Sequence, residues 1–500
     1  MDPKAPHRGS APQLRSPVHH KAPAHRRPDG APNRSYCTRA GTPLYGSTLR
    51  AVFRMNFELD FRTLPLILAA VSSACGSKPP DGRPNIVVLL SDDQDYEHFG
   101  FAGHPQAHTP TIDRLAEAGA VFTHGFVPMS RCRPAQASLL SGQWPHQNGI
   151  YFNVGADHID PTTSIAKRLK DAGYATVGEG KFWEYHPREM GFSNYTIRNY
   201  ETFVRDGQDH LFRFIDDHAG RKPMFIWWAP ELPHTPHNPP PRHLATVDRD
   251  TLSIPETYRD NPESFRDQEF LSLAMGAWLD EGIEELIQKL KQCGEYENTL
   301  FCFFVDNGYS VGLPSKGTAF DKGLRTPVIF SWEKGIVASE SSALISSVDL
   351  YSTLLDYGGA TPPEQSPGMS LRPAIEGEAF VGRETLYGAL YLQSPSEPKA
   401  DAARDAYAIW ARTKRFKYVL YLQDVRENDN RRFKIQANLC PYPERDRGDE
   451  DFFDLALDPY EQVNLAGESE HREQMDSLRE EILTWWRETG GGDLDLPRPQ

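Results

Sequence analysis

Four apolar runs in this chain each lead to polar residues suited to chemistry, and that recurrence restricts the fold more than any other feature. "NIVVLL" (85–90) runs into Ser91-Asp92-Asp93, and "TLFCFFV" (299–305) runs into Asp306-Asn307-Gly308. "ATVG" (175–178) leads to Lys181, and "MFIWWA" (224–229) leads through Pro230 to His234. Apolar runs this long without polar interruption suit strands covered on both faces. Between them lie amphipathic stretches with helix punctuation. "TPTIDRLAEAG" (109–119) offers Thr109 as N-cap, Pro110 next, Ile112, Leu115 and Ala116 on one face, and Gly119 as the stop. "TSIAKRLKDAG" (163–173) repeats that grammar, a long helical pattern covers about 269–292, and "TPVIFSW" (326–332) reads as another strand. This alternation predicts an α/β fold with a large, mostly parallel central sheet flanked by helices. Ligands of open α/β sheets bind beyond the carboxyl ends of the strands. Acids, an amide, a lysine and a histidine are therefore expected to meet at one edge.

A lone cysteine calls for the same edge. In "SRCRPAQASLLSG" (130–142), Pro134 suits the first position of a helix and Gly142 suits its stop. Cys132 then lies at or beside the helix N-terminus, where free N–H groups and the dipole favour an anion. A cysteine at such a turn is ordinarily a small buried hydrophobe. Asp92 and Asp93 are adjacent carboxylates, and Asp306-Asn307 adds two further oxygen donors. Like charges brought together call for a neutralising cation, and an all-oxygen set suits Ca²⁺ more readily than Zn²⁺. The same pairs could instead be separate turn and capping residues, since Asp-Asn-Gly is also a good turn. Lys181 and Lys316 are candidates to hold an anionic group. His234, in the proline-enclosed "ELPHTPHNPP", suits a general acid, with His237 a competing choice.

Charge narrows the partners. Residues 1–54 hold 10 Lys and Arg against 2 Asp, so the net charge of −15 divides into +8 there and −23 over the rest. An acidic body argues against nucleic acid, and any anionic substrate must be held by local cations. Residues 1–54, rich in Pro, Arg and His, cannot bury a core and read as a disordered leader, with Met55 as the expected start. Residues 55–82 form a signal-like segment and linker. Leu64 to Val71 is too short to span a bilayer, small residues follow it, and Cys75 loosely resembles a lipid-attachment cysteine. Export to the periplasm or outside the cell is expected, with no integral membrane span. Of the six cysteines (37, 75, 132, 293, 302, 440), two lie in that leader region, and the other four give neither a disulfide framework nor a zinc motif.

The ordered series "PNIVVLLSDDQ", "HTPTIDRLAEAGAVFTHGFV", "CRPAQASLLSGQWPHQNGI", "GKFWE", "PHTPHNPP", "FFVDNGYS", "SKGTAFDKGLRTPVIFSW", "SSVDLYSTLLDYGGA" and "DFFDLALDPYEQVNLAG" resembles the sulfatase family of the alkaline-phosphatase-like superfamily. The resemblance runs from about Arg83 to Thr489. It implies a catalytic domain over 83–363, a C-terminal α+β subdomain over 364–490 on an antiparallel sheet, and a tail over 491–500. It also implies that a formylglycine-generating enzyme, a transient partner, oxidises Cys132 to formylglycine. Asp92, Asp93, Asp306, Asn307 and the Cys132-derived group would hold Ca²⁺, with Mg²⁺ the lesser alternative. Lys181 and Lys316 would hold the sulfate of a small-molecule or carbohydrate sulfate ester, and His234 would protonate the leaving oxygen.

Two positions depart from the family pattern. Gln136 replaces the arginine of Cys-x-Pro-x-Arg and is expected beside the substrate. Trp183 stands where a histidine is usual, with Glu184 or His186 as substitutes. A phosphoryl or phosphonyl ester hydrolase of the same superfamily is the first alternative. Those relatives generally present Thr or Ser as nucleophile, often with zinc, which counts against it. The second is a catalytically impaired, sulfate-binding relative, kept open by Gln136 and Trp183. "AYAIWARTKRFKYVLYL" (406–422) reads as two antiparallel strands and "HREQMDSLREEILTWWRET" (471–489) as a closing amphipathic helix. Trp183, Tyr185 and Trp228 are candidate walls for a sugar ring, or buried packing.

Overall fold

The computed structural model describes residues 82–496 except 156, 185, 197–203, 205–206, 255–261, 310–312, 393–400 and 427–443. The leader, the signal-like segment with Cys75, Tyr185 and Cys440 therefore lie outside the described residues. All described residues belong to one compact unit, Pro65–Gln500.

Strands are numbered in chain order. The main sheet comprises β1 (Asn85–Ser91), β2 (Ala120–Phe126), β3 (Ala175–Gly180), β4 (Asn194–Thr196), β5 (Met224–Ala229), β6 (Thr299–Val305), β7 (Arg325–Ser331) and β8 (Ser339–Ser346). Their order across the sheet is β4-β3-β5-β1-β6-β7-β2-β8. The pairs from β4 through β6 are parallel, whereas β7 runs antiparallel to both β6 and β2. The reason is local. The chain leaves β6 at its carboxyl end, forms the loop that carries Lys316, and re-enters as β7 from that same edge, so the two strands must oppose.

Consecutive residues of the central strands face opposite layers, and both layers are apolar. Ile86, Val88 and Leu90 join one buried cluster, whereas Val87 and Leu89 join another. Leu300, Cys302 and Phe304 alternate in the same way with Phe301, Phe303 and Val305. This explains the unbroken apolar runs. The long helix Pro262–Gln292 packs its Met275, Leu279, Ile283 and Leu286 into the second cluster.

The second sheet is antiparallel, in the order β12-β11-β10-β9, from β9 (Leu386–Tyr391), β10 (Ala406–Arg412), β11 (Phe416–Tyr421) and β12 (Glu450–Asp454). Its Leu390, Trp410 and Val419 belong to the first cluster, so it shares a core with one face of the main sheet. The helix Arg472–Glu488 closes that core through Met475, Ile482 and Trp486. Cys132, Cys293 and Cys302 form no disulfide among the described residues. Among the described residues no helix is long and apolar enough to cross a membrane.

Candidate active site

β1, β3, β5 and β6 end on one edge, and β2, which runs with β6, delivers the Cys132 segment to it. Backbone bonds stitch the loops there. The Asp92 N–H donates to the Leu232 carbonyl (3.0 Å), and the Asp306 N–H donates to the Ser91 carbonyl (3.0 Å). Asp93 adopts φ 58°, a left-handed turn that Asp tolerates better than most residues. Consecutive strand residues would point to opposite faces, but this turn lets Asp92 and Asp93 serve the same pocket. Gly180, ahead of Lys181, has φ 93°, and a Cβ there would lie 1.9 Å from the Ala229 carbonyl oxygen. A Cβ on Gly308, after Asn307, would lie 2.0 Å from the Lys322 carbonyl oxygen. Both glycines are therefore sterically required.

Cys132 opens the helix Cys132–Ser141, whose ten residues are all buried. Pro134 takes the third helical position rather than the expected first, and the change costs nothing because that N–H also lacks an intrahelical acceptor. Gly142 closes the helix at φ 67°, as its sequence position suggested. The Cys132 thiol lies 3.6 Å from an oxygen of Asp92 and 3.6 Å from one of Asp93. Lys316 Nζ donates to the sulfur (3.1 Å) and to both oxygens of Asp93 (2.5 Å each). Lys181 pairs with Asp92 and lies 3.7 Å from Asp306 Oδ2. Asn307 Nδ2 donates to Asp93 (2.8 Å), and the Asp93 N–H donates to Asp306 Oδ1 (3.2 Å). His234 Nε2 sits 3.3 Å from Asp93 Oδ2, while its Nδ1 faces the Thr235 carbonyl (2.7 Å). Sequence positions from 92 to 316 thus meet around one sulfur atom.

The electrostatics of this cluster are incomplete. Asp92, Asp93 and Asp306 are buried carboxyl groups opposed by the buried Lys181 and Lys316, so ionising all three would leave one negative charge over. Burial, and then the neighbouring Asp92, push the Asp306 carboxyl up to about 8 against the pull of Lys181. Burial would also raise Asp93, but Lys316, His234 and Lys181 together hold it below the usual carboxylate range. Burial drives the Cys132 thiol well above its ordinary value despite both lysines. Asn307 Oδ1 is buried and accepts no hydrogen bond among the described residues. Asp92, Asp93, Cys132 and His234 bring ligand-capable atoms within 4.8 Å of one another. A carboxyl that cannot ionise without a further positive charge, beside an amide oxygen that accepts nothing among the described residues, fits a hard, oxygen-ligated divalent cation.

Other expected residues fall differently. Gln136 is buried and donates to Asp306 Oδ2 (2.9 Å), so its amide holds a carboxylate of the cluster. Glu184 accepts from the Ile159 N–H (3.1 Å) and faces His158 (3.0 Å), while His186 is exposed and lines a separate cleft, so neither side chain contacts Cys132. The Trp183 ring instead lies 5.3 Å from Lys181 Nζ. Trp228 is a core residue whose Nε1 donates to Gln208 (2.7 Å), which removes it as a sugar wall. His237 is pushed down to about 4 by burial and then by His234, leaving His234 as the imidazole in contact with Asp93.

Sequence reasoning missed two participants. β2, which carries the chain to Cys132, alternates buried and half-exposed residues and is broken by a register shift between Phe122 and Gly125. Glu231, in the loop after β5, is raised to about 7 by burial and then by Asp92, against Lys181. Its only signal was its place between "WWA" and His234.

Comparison with known proteins identifies the family. The sulfatase family profile matches residues 84–360, and the profile for the C-terminal part of N-sulphoglucosamine sulphohydrolase matches 311–437. An ulvan-active sulfatase of Formosa agariphila is 27% identical over 424 residues, covering 82% of this chain and 81% of its own. An N-acetylglucosamine-6-O-sulfatase of Bacteroides thetaiotaomicron is 23% identical, covering 83% of this chain and 89% of its own. Among solved structures, one in complex with its substrate D-glucosamine-2-N,6-O-disulfate superposes with a TM-score of 0.66 at 20% identity, over 83% of this chain and 99% of that one. A phosphonate monoester hydrolase from Silicibacter pomeroyi shares the fold at a TM-score of 0.65 and 19% identity, over 81% of this chain and 96% of that one. The chain belongs to the sulfatase family, enzymes that hydrolyse sulfuric esters.

Proposed function

We propose that this sulfatase removes sulfate from a sulfated carbohydrate, with Cys132 oxidised to formylglycine and Asp92, Asp93, Asp306 and Asn307 holding Ca²⁺ beside it. The observation that carries the proposal is the cluster of three carboxylates and the orphaned Asn307 oxygen around the Cys132 sulfur. The carbohydrate class is supported by the ulvan-active and N-acetylglucosamine-6-O relatives. A buried thiol held neutral beside carboxylates is a poor nucleophile. That favours conversion of Cys132 over direct use of its sulfur.

When present, a hydrated formylglycine offers one hydroxyl to take the sulfuryl group and a second whose deprotonation releases sulfate. Ca²⁺ would polarise the sulfuryl oxygens as a Lewis acid. The chain's own residues do the rest. Lys181 and Lys316 are fixed cations for the sulfate oxygens, and a fixed donor of this kind is worth about 2.7–4 kcal/mol in a transition state. The N-terminus of the helix Cys132–Ser141 adds up to about 1 kcal/mol for a bound anion. His234 keeps its Nδ1 proton on the Thr235 carbonyl, so Nε2 is the atom that delivers a proton to the leaving oxygen, with Asp93 stabilising the charged ring. Gln136 acts as a positioning residue, through the Asp306 carboxylate. Conversion of Cys132 calls for a dedicated oxidising enzyme as a transient partner, and the signal-like character of residues 55–82 supports export.

Mass spectrometry of the peptide that begins at Cys132, from protein made in its native host, tests this reading. An aldehyde is expected, together with turnover of 4-nitrophenyl sulfate that exceeds turnover of 4-nitrophenyl phosphate. An active enzyme with an unmodified thiol, or one that prefers the phosphate, overturns it.

A further inference from the structure

We propose that a second cleft, beside the catalytic edge, binds an anionic sugar residue of the same substrate chain, which makes the substrate a charged glycan bearing more than one acidic group. The inference rests on the carbohydrate sulfatase reading above. The cleft measures about 460 Å³, within the ~300–1,000 Å³ range of ligand clefts, and its walls include Tyr96, Lys322, Arg325, Arg412, Lys414 and Tyr460. They come from the same loops as the active site and from the second sheet. Tyr96 lies three residues beyond Asp93, and the carbonyl of Lys322 packs against Gly308 beside Asn307. Arg412 ends β10, Lys414 sits in the turn to β11, and Tyr460 follows β12.

Four Lys and Arg side chains line this cleft against three carboxylates. Those carboxylates are already engaged. Asp95 and Glu97 pair with Lys322 (3.2 and 2.6 Å), and Asp321 pairs with Arg412 (3.0 Å) and Lys417 (2.6 Å). Arg325 donates instead to the Thr123 carbonyl (2.8 Å) and stacks 3.7 Å from the Tyr96 ring centre, and Lys414 donates to Ser342 Oγ (3.3 Å). Neither forms an ion pair with a carboxylate among the described residues. A positive excess here is notable on a body that carries −23 outside its leader, and it can hold an anion locally. His124, also on the wall, reports the same field. Burial, then Arg412 and Arg325, push its imidazole down to about 4.

The aromatic residues add carbohydrate character. Tyr460 is 40% exposed, its hydroxyl donates to Glu97 Oε1 (3.3 Å) and Lys322 Nζ lies over its ring, 5.3 Å from the centre, so a partly exposed aromatic surface stands beside a cation. A planar guanidinium, a lysine and an exposed ring together suit a sulfated or uronate sugar better than a neutral one.

Calorimetric binding to the full chain tests the inference, with tetrasaccharides from ulvan and from chondroitin sulfate and their desulfated, carboxyl-reduced counterparts as probes. Lys414→Glu should weaken binding of at least one charged tetrasaccharide by about tenfold, the worth of one charge-assisted hydrogen bond, and Tyr460→Ala should weaken it several-fold. Binding of the neutral counterparts should not change with Lys414→Glu. Both variants should hydrolyse 4-nitrophenyl sulfate, which needs only the catalytic cluster, at the wild-type rate. If no charged tetrasaccharide distinguishes Lys414→Glu from wild type, or if the neutral ones lose as much, the inference is wrong. Failure of the wild type to hydrolyse 4-nitrophenyl sulfate would remove the sulfatase reading while leaving the binding comparison intact.

Discussion

Two buried charge clusters of nearly the same composition sit close together in this chain, and only one of them looks unfinished. Beneath the second sheet, Asp321 and Glu461 are met by Arg412 and Lys417, with Lys417 at 2.6 Å from Asp321 and 3.0 Å from Glu461. Two acids face two cations, and the Asp321 N–H also donates to Glu461 (2.6 Å). At the sheet edge three acids face two lysines, and an amide oxygen accepts nothing among the described residues. Residue types alone do not separate these clusters. Charge balance does, because burial penalises any ion left without its counterpart, whereas each cluster holds one buried oxygen without a hydrogen bond among the described residues, Asn307 Oδ1 in one and Glu461 Oε1 in the other. The balanced cluster fastens β10 and β11 to the short helix that follows the Lys316 loop. The unbalanced one gathers Asp92, Asp93, Cys132 and His234 with ligand-capable atoms within 4.8 Å of one another.

The contrast predicts opposite outcomes for equivalent substitutions. Asp306→Ala should lower aryl sulfate turnover by more than about 10³-fold and remove bound divalent metal, while the protein stays folded. Metal analysis alongside the assay checks it, and turnover surviving at normal metal content would break the site assignment. Asp321→Ala should leave the metal in place but cost about 3–5 kcal/mol in urea unfolding, because Arg412 and Lys417 lose their shared carboxylate. A stable Asp321→Ala protein lacking metal would reverse the two roles.

Smaller changes sharpen the same division. His234→Gln should cost about 10²-fold with an alkyl or sugar sulfate and much less with 4-nitrophenyl sulfate, whose leaving group needs little protonation. Equal losses on both substrates would make His234 a structural residue. Gln136→Ala should weaken Ca²⁺ about tenfold through Asp306, with little effect on unfolding of the chelator-treated protein.

The smallest effect is a pH slope. Burial raises Glu461 from 4.5 to about 7 even though Lys417 opposes it. Between those values the folded protein holds a proton that the unfolded chain has released, so this group's stabilisation is present below pH 4.5 and is lost as pH rises to about 7. Glu461→Gln should flatten unfolding free energy across that window, and an unchanged slope would mean that Glu461 stays ionised.

Much of the site was readable in the sequence because strands buried on both faces advertise themselves. β5 and β6 begin and end where "MFIWWA" and "TLFCFFV" do, and the residues after β1, β5 and β6 meet as their shared edge requires. The pair β10 and β11 was equally plain in "AYAIWARTKRFKYVLYL". β2 and β8 were not, since neither is buried along its length and their pairing slips in register. The reversal of β7 was also hidden, because an apolar run carries no direction. Gln136 was expected to face substrate. Its bond to Asp306 spans 170 positions, a contact that only the packed helix reveals.

Calcium titration of the chelator-treated full chain, followed by calorimetry, tests the unfinished cluster most directly. One ion per chain should bind the wild type and Asp321→Ala alike, and none should bind Asp306→Ala. Equal calcium binding by wild type and Asp306→Ala, or an active wild type that binds no divalent ion, would contradict the account.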